Sequence, residues 1–139
     1  MELRIKQKDL KSIEKHALES FPLECCGLMM GKVKEDVFYV EKVVPADNIH
    51  KSGVSFEADA EFVYRAINEA EAKGLELIGI YHSHPNMHAY ISARDAEIIK
   101  LWPNVAWLVL GVAREKIIEK KAFVLSEGKV VGLELAIKP

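Results

Sequence analysis

The most constraining segment of this chain is the run at residues 75–80, LELIGI, which passes without a break into Tyr81-His82-Ser83-His84-Pro85. A short, largely apolar run with Gly74 before it and Pro85 after it reads as a buried strand in the middle of a sheet. The rest of the chain must therefore supply neighbours for that strand and cover for the sheet. A first strand (ELRI) precedes a helix over residues 8–20, where Leu10, Ile13, Ala17 and Phe21 recur at helical spacing until Pro22 stops it. CCGLMMG and VFYVEKVVP flank the polar KVKED and predict an antiparallel hairpin. Residues 46–58 lack periodicity and form the one long loop. A second helix follows, ADAEFVYRAINEAEAKG, closed by Gly74. Beyond the central strand, SARDAEIIKLW suits a shorter third helix ended before Pro103, and VAWLVLGVA, IIEKKAFVLS and KVVGLELAI give three closing strands. The order β, α, β, β, α, β, α, β, β, β predicts an α/β chain: a mixed sheet with helices packed on it.

Length and charge narrow the function classes. A chain of 139 residues, half of them hydrophobic, matches one domain over 1–139 that can bury its own core. With 21 acidic against 19 basic side chains it has no broad cationic face, so no nucleic-acid partner is expected. No apolar h-region opens the chain and no stretch approaches the roughly 18 apolar residues of a membrane span, so no membrane association and a cytoplasmic location are expected. Cys25 and Cys26 are adjacent and read as reduced thiols. Met29, Met30, Trp102 and Trp107 can serve either the core or an interface such as a homodimer; the core is the expected place for most of them.

The end of the central strand carries the chemistry. Residues two apart on a strand face one way, so His82 and His84 can present imidazoles to one point beyond the sheet. Asp95 stands in the first turn of the third helix, and the loop after Pro85 is long enough to fold it back over them. Two imidazoles and one carboxylate make a three-ligand zinc site whose fourth tetrahedral position is left to water, the pattern of catalytic sites. A general base is then required. Blander readings attach to each piece. Ser92 and Asp95 have the spacing of a capping box; Cys25 and Cys26 suit buried strand positions; His16, His50 and His88 suit solvated ones; and Glu24, by itself, is a solvated residue at a strand start.

Taken together, His82-Ser83-His84-Pro85, six residues, Ser92, two residues and Asp95 resemble the H-[ST]-H-P-x6-S-x-x-D signature of the JAMM (MPN+) metalloproteases, with every defining position filled. PLECCGLMMG, with Pro22, Glu24, Cys26, Gly27, Leu28 and Gly31, resembles the upstream glutamate segment of the small prokaryotic members. The resemblance implies the MPN/JAMM fold, a curved mixed sheet flanked by about three helices with a cytidine-deaminase-like architecture. It further implies one zinc ion per chain held by His82, His84 and Asp95, Glu24 as general acid/base, and the Ser92 hydroxyl as an oxyanion donor. The implied activity is a zinc isopeptidase or peptidase cutting after the C-terminal Gly-Gly of ubiquitin-like modifiers, and the implied partners are such modifiers or sulfur-carrier proteins and their conjugates. Processing of a sulfur-carrier precursor and a non-catalytic interaction module are the alternatives. An extended tail of this kind can lie along a sheet edge. The loop at 46–58 is the candidate clamp over it, through Asp47, Val54, Ser55 and Phe56.

Overall fold

The computed structural model describes all 139 residues. Seven strands and three helices alternate as the sequence pattern predicts: β1 (Glu2–Lys6), α1 (Gln7–Ser20), β2 (Cys26–Lys34), β3 (Val37–Ala46), α2 (Ala60–Ala72), β4 (Glu76–Pro85), α3 (Ala93–Ile99), β5 (Ala106–Ala113), β6 (Lys116–Ser126) and β7 (Lys129–Lys138). No helix is long and apolar enough to cross a membrane. The β2–β3 hairpin turns on only two residues, Glu35 and Asp36, both with positive φ, as a twist-matched two-residue turn requires. Polar KVKED thus divides between strand ends and turn. The third helix is shorter than its sequence segment and stops at Ile99, four residues before Pro103.

The strand order is β1-β3-β2-β4-β5-β6-β7, and β1 pairs with β7 as well as β3, so the mixed sheet closes on itself. β1 makes this closure by lying parallel to both neighbours, which no local pattern in its five residues announces. Pro45 is accommodated within β3 because β1 pairs only with Val37, Phe38 and Tyr39, leaving the far half of β3 without a second neighbour.

Two apolar layers result. Alternate residues of the strands, among them Leu3, Ile5, Val40, Leu108 and Leu110, meet Leu10, Ile13 and Ala17 of α1 in one cluster. The opposite faces, with Leu28, Met30, Ile80 and Trp107, pack under α2 and α3 in the other. Met29, Met30 and Trp107 are fully buried, so they belong to the core, whereas Trp102 is only partly so. The central β4 is covered on both faces and paired on both edges, antiparallel with β2 and parallel with β5.

Candidate metal centre

The register of β2 against β4 sets Leu28 opposite Ile80, Gly27 opposite Tyr81 and Cys26 opposite His82. Continued two residues past Cys26, it brings Glu24 opposite His84, on the side of the sheet that His82 already faces. The separation agrees: Glu24 Oε2 is 3.7 Å from His84 Nδ1. Residues 23–25 lie outside any strand, and Ser83 fastens them. Its Oγ accepts the Cys25 N–H at 2.9 Å and its own N–H donates to Cys25 O at 3.2 Å. Ser83 therefore points away from the two histidines that flank it in sequence and holds the partner segment in place.

Asp95 arrives from α3. Ser92 is the N-cap; its Oγ accepts the Asp95 N–H at 3.0 Å, and Asp95 Oδ2 accepts the Ser92 N–H at 3.1 Å, completing the expected capping box. The same Oδ2 lies 3.1 Å from His82 Nε2 and 2.9 Å from His84 Nε2. Capping and convergence on the imidazoles thus coexist on one carboxylate. The intervening loop is pinned to the sheet: Glu119 Oε1 accepts the Ala89 N–H at 2.8 Å, and Tyr90 stacks on His84 with ring centroids 5.0 Å apart. On the other side Phe56 stacks on His82 at 4.6 Å.

Glu24, His82, His84 and Asp95 are all buried, none more than 5% exposed. Burial therefore dominates their ionisation, and their partners decide what remains. Glu24 is pushed up to about 7, chiefly by burial, with Asp95 adding to the rise and His84 opposing it. Burial also pushes Asp95 upward, but its bonds to His82 and His84 outweigh that and hold it well below the usual carboxylate range. Burial lowers His82 in spite of Asp95; in His84 the same burial is overcome by the Asp95 bond and charge, and its affinity for a proton rises. One carboxyl is thus held as the anion and its neighbour is poised to exchange a proton near neutral pH.

This donor set fits a metal ion. Glu24, His82 and His84 each offer a ligand atom within 4.8 Å of the others, and Asp95 Oδ2 touches both Nε2 atoms. In a tetrahedral zinc site with bonds of roughly 2.0–2.1 Å, ligand atoms stand about 3.3 Å apart; the His–Asp separations of 2.9 and 3.1 Å are within a few tenths of that. His82 Nδ1 is buried without a partner, so the Asp95 contact leaves one polar atom of that ring unanswered.

The remaining candidates divide. Ser55 and Phe56 of the 47–59 loop are buried at 8% exposure, whereas Asp47 is exposed and Val54 is 74% exposed. A groove of about 540 Å³ begins at Phe56 and runs between α2, α3 and the sheet past Val63, Ile67, Trp102 and Arg94. Since β4 is paired on both edges, a substrate tail cannot add to it as a strand. The free sheet edge is the far half of β3, which leads into the loop at 47–59, and the loop and groove are the other adjoining surfaces. Glu24 is not a solvated strand start, and His16 is half-buried, its Nδ1 2.7 Å from Tyr81 Oη. Burial pushes the Cys25 thiol up to about 11 and Cys26 to about 12, which leaves neither as a ready nucleophile. Ser83 went unassigned in the sequence, although alternation on β4 places it opposite the histidines. Asn48, whose side-chain amide bonds Glu24 O, Ser55 O and the N–H groups of His50 and Glu57, gave no signal there.

Comparison with known proteins places these features in context. Residues 6–124 match the family described as prokaryotic homologs of the JAB domain. A desampylase of Pyrococcus furiosus is 38% identical over 137 residues, covering 98% of this chain and 91% of its own. A probable TtuB-protein conjugate cleaving protease of Thermus thermophilus is 34% identical, covering 89% and 76%. A solution structure of a Desulfitobacterium hafniense protein superposes with a TM-score of 0.86 at 27% identity, covering 98% of this chain and 92% of that one.

Proposed function

The chain belongs to the family of prokaryotic homologs of the JAB domain, and from that membership we propose that it is a zinc-dependent hydrolase. In this reading it cuts the bond after the C-terminal Gly-Gly of ubiquitin-like modifiers and so releases them from their conjugates. The names of its relatives, desampylase and conjugate cleaving protease, support the substrate class. The observation that carries the reaction is the placing of two buried carboxyls on one pair of imidazoles: Asp95 Oδ2 lies 3.1 and 2.9 Å from the His82 and His84 Nε2 atoms, and Glu24 Oε2 lies 3.7 Å from His84 Nδ1.

His82, His84 and Asp95 would hold the ion. Asp95 suits a permanent ligand because its charge is secured by both imidazoles and by the Ser92 N–H. Zinc, when bound, supplies a Lewis acid that polarises the scissile carbonyl and lowers the pKa of water to about 7. Glu24, as carboxylate, takes the proton of the attacking water as the new C–O bond forms. It returns that proton to the leaving amine as the C–N bond breaks, so it ends each cycle as it began. Ser92 Oγ accepts the Asp95 N–H, which leaves its own hydrogen free to donate to the developing oxyanion. Exposed Val54 and Asp47, with the apolar groove beginning at Phe56, are the surfaces we assign to the modifier.

The test presents a ubiquitin-like protein linked to a lysine side chain and, separately, as a linear fusion beyond its Gly-Gly. Wild type should release the modifier from the lysine conjugate, lose activity to a chelator and regain it with zinc; Glu24→Gln should fall by roughly a hundredfold to ten-thousandfold. Cleavage insensitive to chelation, or full activity of Glu24→Gln, would refute the proposal. Cleavage of the linear fusion alone would favour precursor processing.

A further inference from the structure

Residues 23–25 lie outside any strand, so the Glu24 backbone is held by bonds other than a strand ladder. Its N–H donates to Ser52 O at 2.7 Å and its carbonyl accepts from Asn48 Nδ2 at 3.0 Å. Both main-chain groups of Glu24 are thus bonded to the loop at 47–59, and within this loop Asn48 is the side chain that makes the most bonds. Its Nδ2 also donates to Ser55 O at 2.9 Å, with Ser52 O at 3.5 Å, while its Oδ1 accepts the His50 N–H and the Glu57 N–H, each at 3.1 Å. A primary amide has two N–H donors and one oxygen with two lone pairs; the two short donor contacts and two acceptor contacts use all of them. The orientation of the amide is also dictated, because a flipped group would set its oxygen against three carbonyls.

The loop has independent contacts with the site. Phe56 stacks on His82, and Gly53 passes so near Pro22 that a Cβ there would lie 2.8 Å from Pro22 O. The loop that grips Glu24 therefore also bears on a metal-binding imidazole and on the residues entering β2.

We propose that Asn48 is a positioning residue for Glu24: by bonding the Glu24 carbonyl and fixing the loop that accepts the Glu24 N–H, it sets where the Glu24 carboxylate stands over His84. This rests on the proton-carrying role of Glu24. Asn48 touches no reacting atom and acts only through that residue. An aspartate in its place keeps the two acceptor contacts and replaces the donor edge with oxygen facing the Glu24 and Ser55 carbonyls, so the grip is reversed at nearly constant shape.

Amide hydrogen exchange on zinc-bound protein reads the grip without turnover. In Asn48→Asp the Glu24 amide should exchange on the order of a hundredfold faster, with the His82 and Val109 amides of the central strands unchanged. On a lysine-linked conjugate kcat should fall about a hundredfold, since an ångström of misplacement costs that much, while KM stays within about twofold. Combined with Glu24→Gln, Asn48→Asp should cause no further loss, because the group it positions is already gone. If Asn48→Asp does not fold, Asn48→Ala, which removes the contacts without adding charge, carries the same expectations. Unchanged exchange at Glu24, or a double variant slower than Glu24→Gln by the full factor of the single change, would overturn the proposal. A wild type that cleaves no conjugate but shows the exchange result would refute the hydrolase reading and leave the structural grip intact.

Discussion

Replacing Ser83 by alanine should expose how much of the site depends on a residue that binds neither metal nor substrate. Ser83 is 1% exposed, as is Cys25, whose N–H it accepts at 2.9 Å. Alanine leaves that buried amide without an acceptor, a loss of about 1–3 kcal/mol. Unfolding entropy of roughly 2.1 cal/mol/K per residue, over 139 residues, gives about 0.3 kcal/mol/K, so a loss near 2 kcal/mol lowers Tm by about 7 °C. The assay is thermal unfolding in chelator, which removes any stabilisation by bound metal. Ser83→Thr keeps an oxygen for the Cys25 N–H and should lose less. Because Cys25 adjoins Glu24, Ser83→Ala should also lower kcat on a conjugate. An alanine variant that melts within about 1 °C of wild type, or a threonine variant that loses as much as alanine, would refute the reasoning.

Gly111→Ala attacks the site from the opposite side. Its Cβ would overlap Met87 O and lie 2.9 Å from His88 C, backbone atoms that cannot rotate away, so the 86–91 loop must shift and carry Tyr90 off His84; a loss of about 1–3 kcal/mol in thermal unfolding and weaker zinc binding are expected. The pH dependence of the chelated protein should carry the mark of Glu24. Its pKa is raised on folding from 4.5 to about 7, so the folded state holds the proton more tightly and the resulting stabilisation is complete below about pH 4.5 and lost as pH rises through 7. Relative to Glu24→Gln, wild type should therefore lose urea stability between pH 4.5 and 8; an unchanged difference across that range would contradict the assignment.

Element order was legible because each helix and strand carries its own periodicity and stop: Pro22 after α1, Gly74 after α2, Pro85 at the end of β4. Closure was not, since β1 joins β3 and β7 through partners more than thirty residues away, and no local pattern encodes them. Within the site, His82, His84 and Asp95 followed from spacing, which gave Ser92 only as a helix cap. Glu24 followed only from resemblance; its placement depends on the β2–β4 register, which pairs residues 56 apart at Cys26 and His82. Asn48 and Ser83 were hidden because their work is done on other residues' backbone groups, which composition and periodicity do not report. Of the loop residues expected to meet substrate, Ser55 Oγ lies 3.0 Å from His50 Nδ1 within the loop, while Phe56 lies on His82 and lines the groove.

Glu24 and Asp95 both reach the His82–His84 pair, and in the proposed mechanism His82, His84 and Asp95 hold the metal while Glu24 carries the proton. Zinc content of purified Glu24→Gln and Asp95→Asn, measured side by side with wild type by elemental analysis after dialysis, tests that division most directly. Glu24→Gln should retain about one zinc per chain, and Asp95→Asn, which removes the anion facing both Nε2 atoms, should lose most of it. Zinc lost from Glu24→Gln but kept by Asp95→Asn would make Glu24 the ligand and contradict the mechanism.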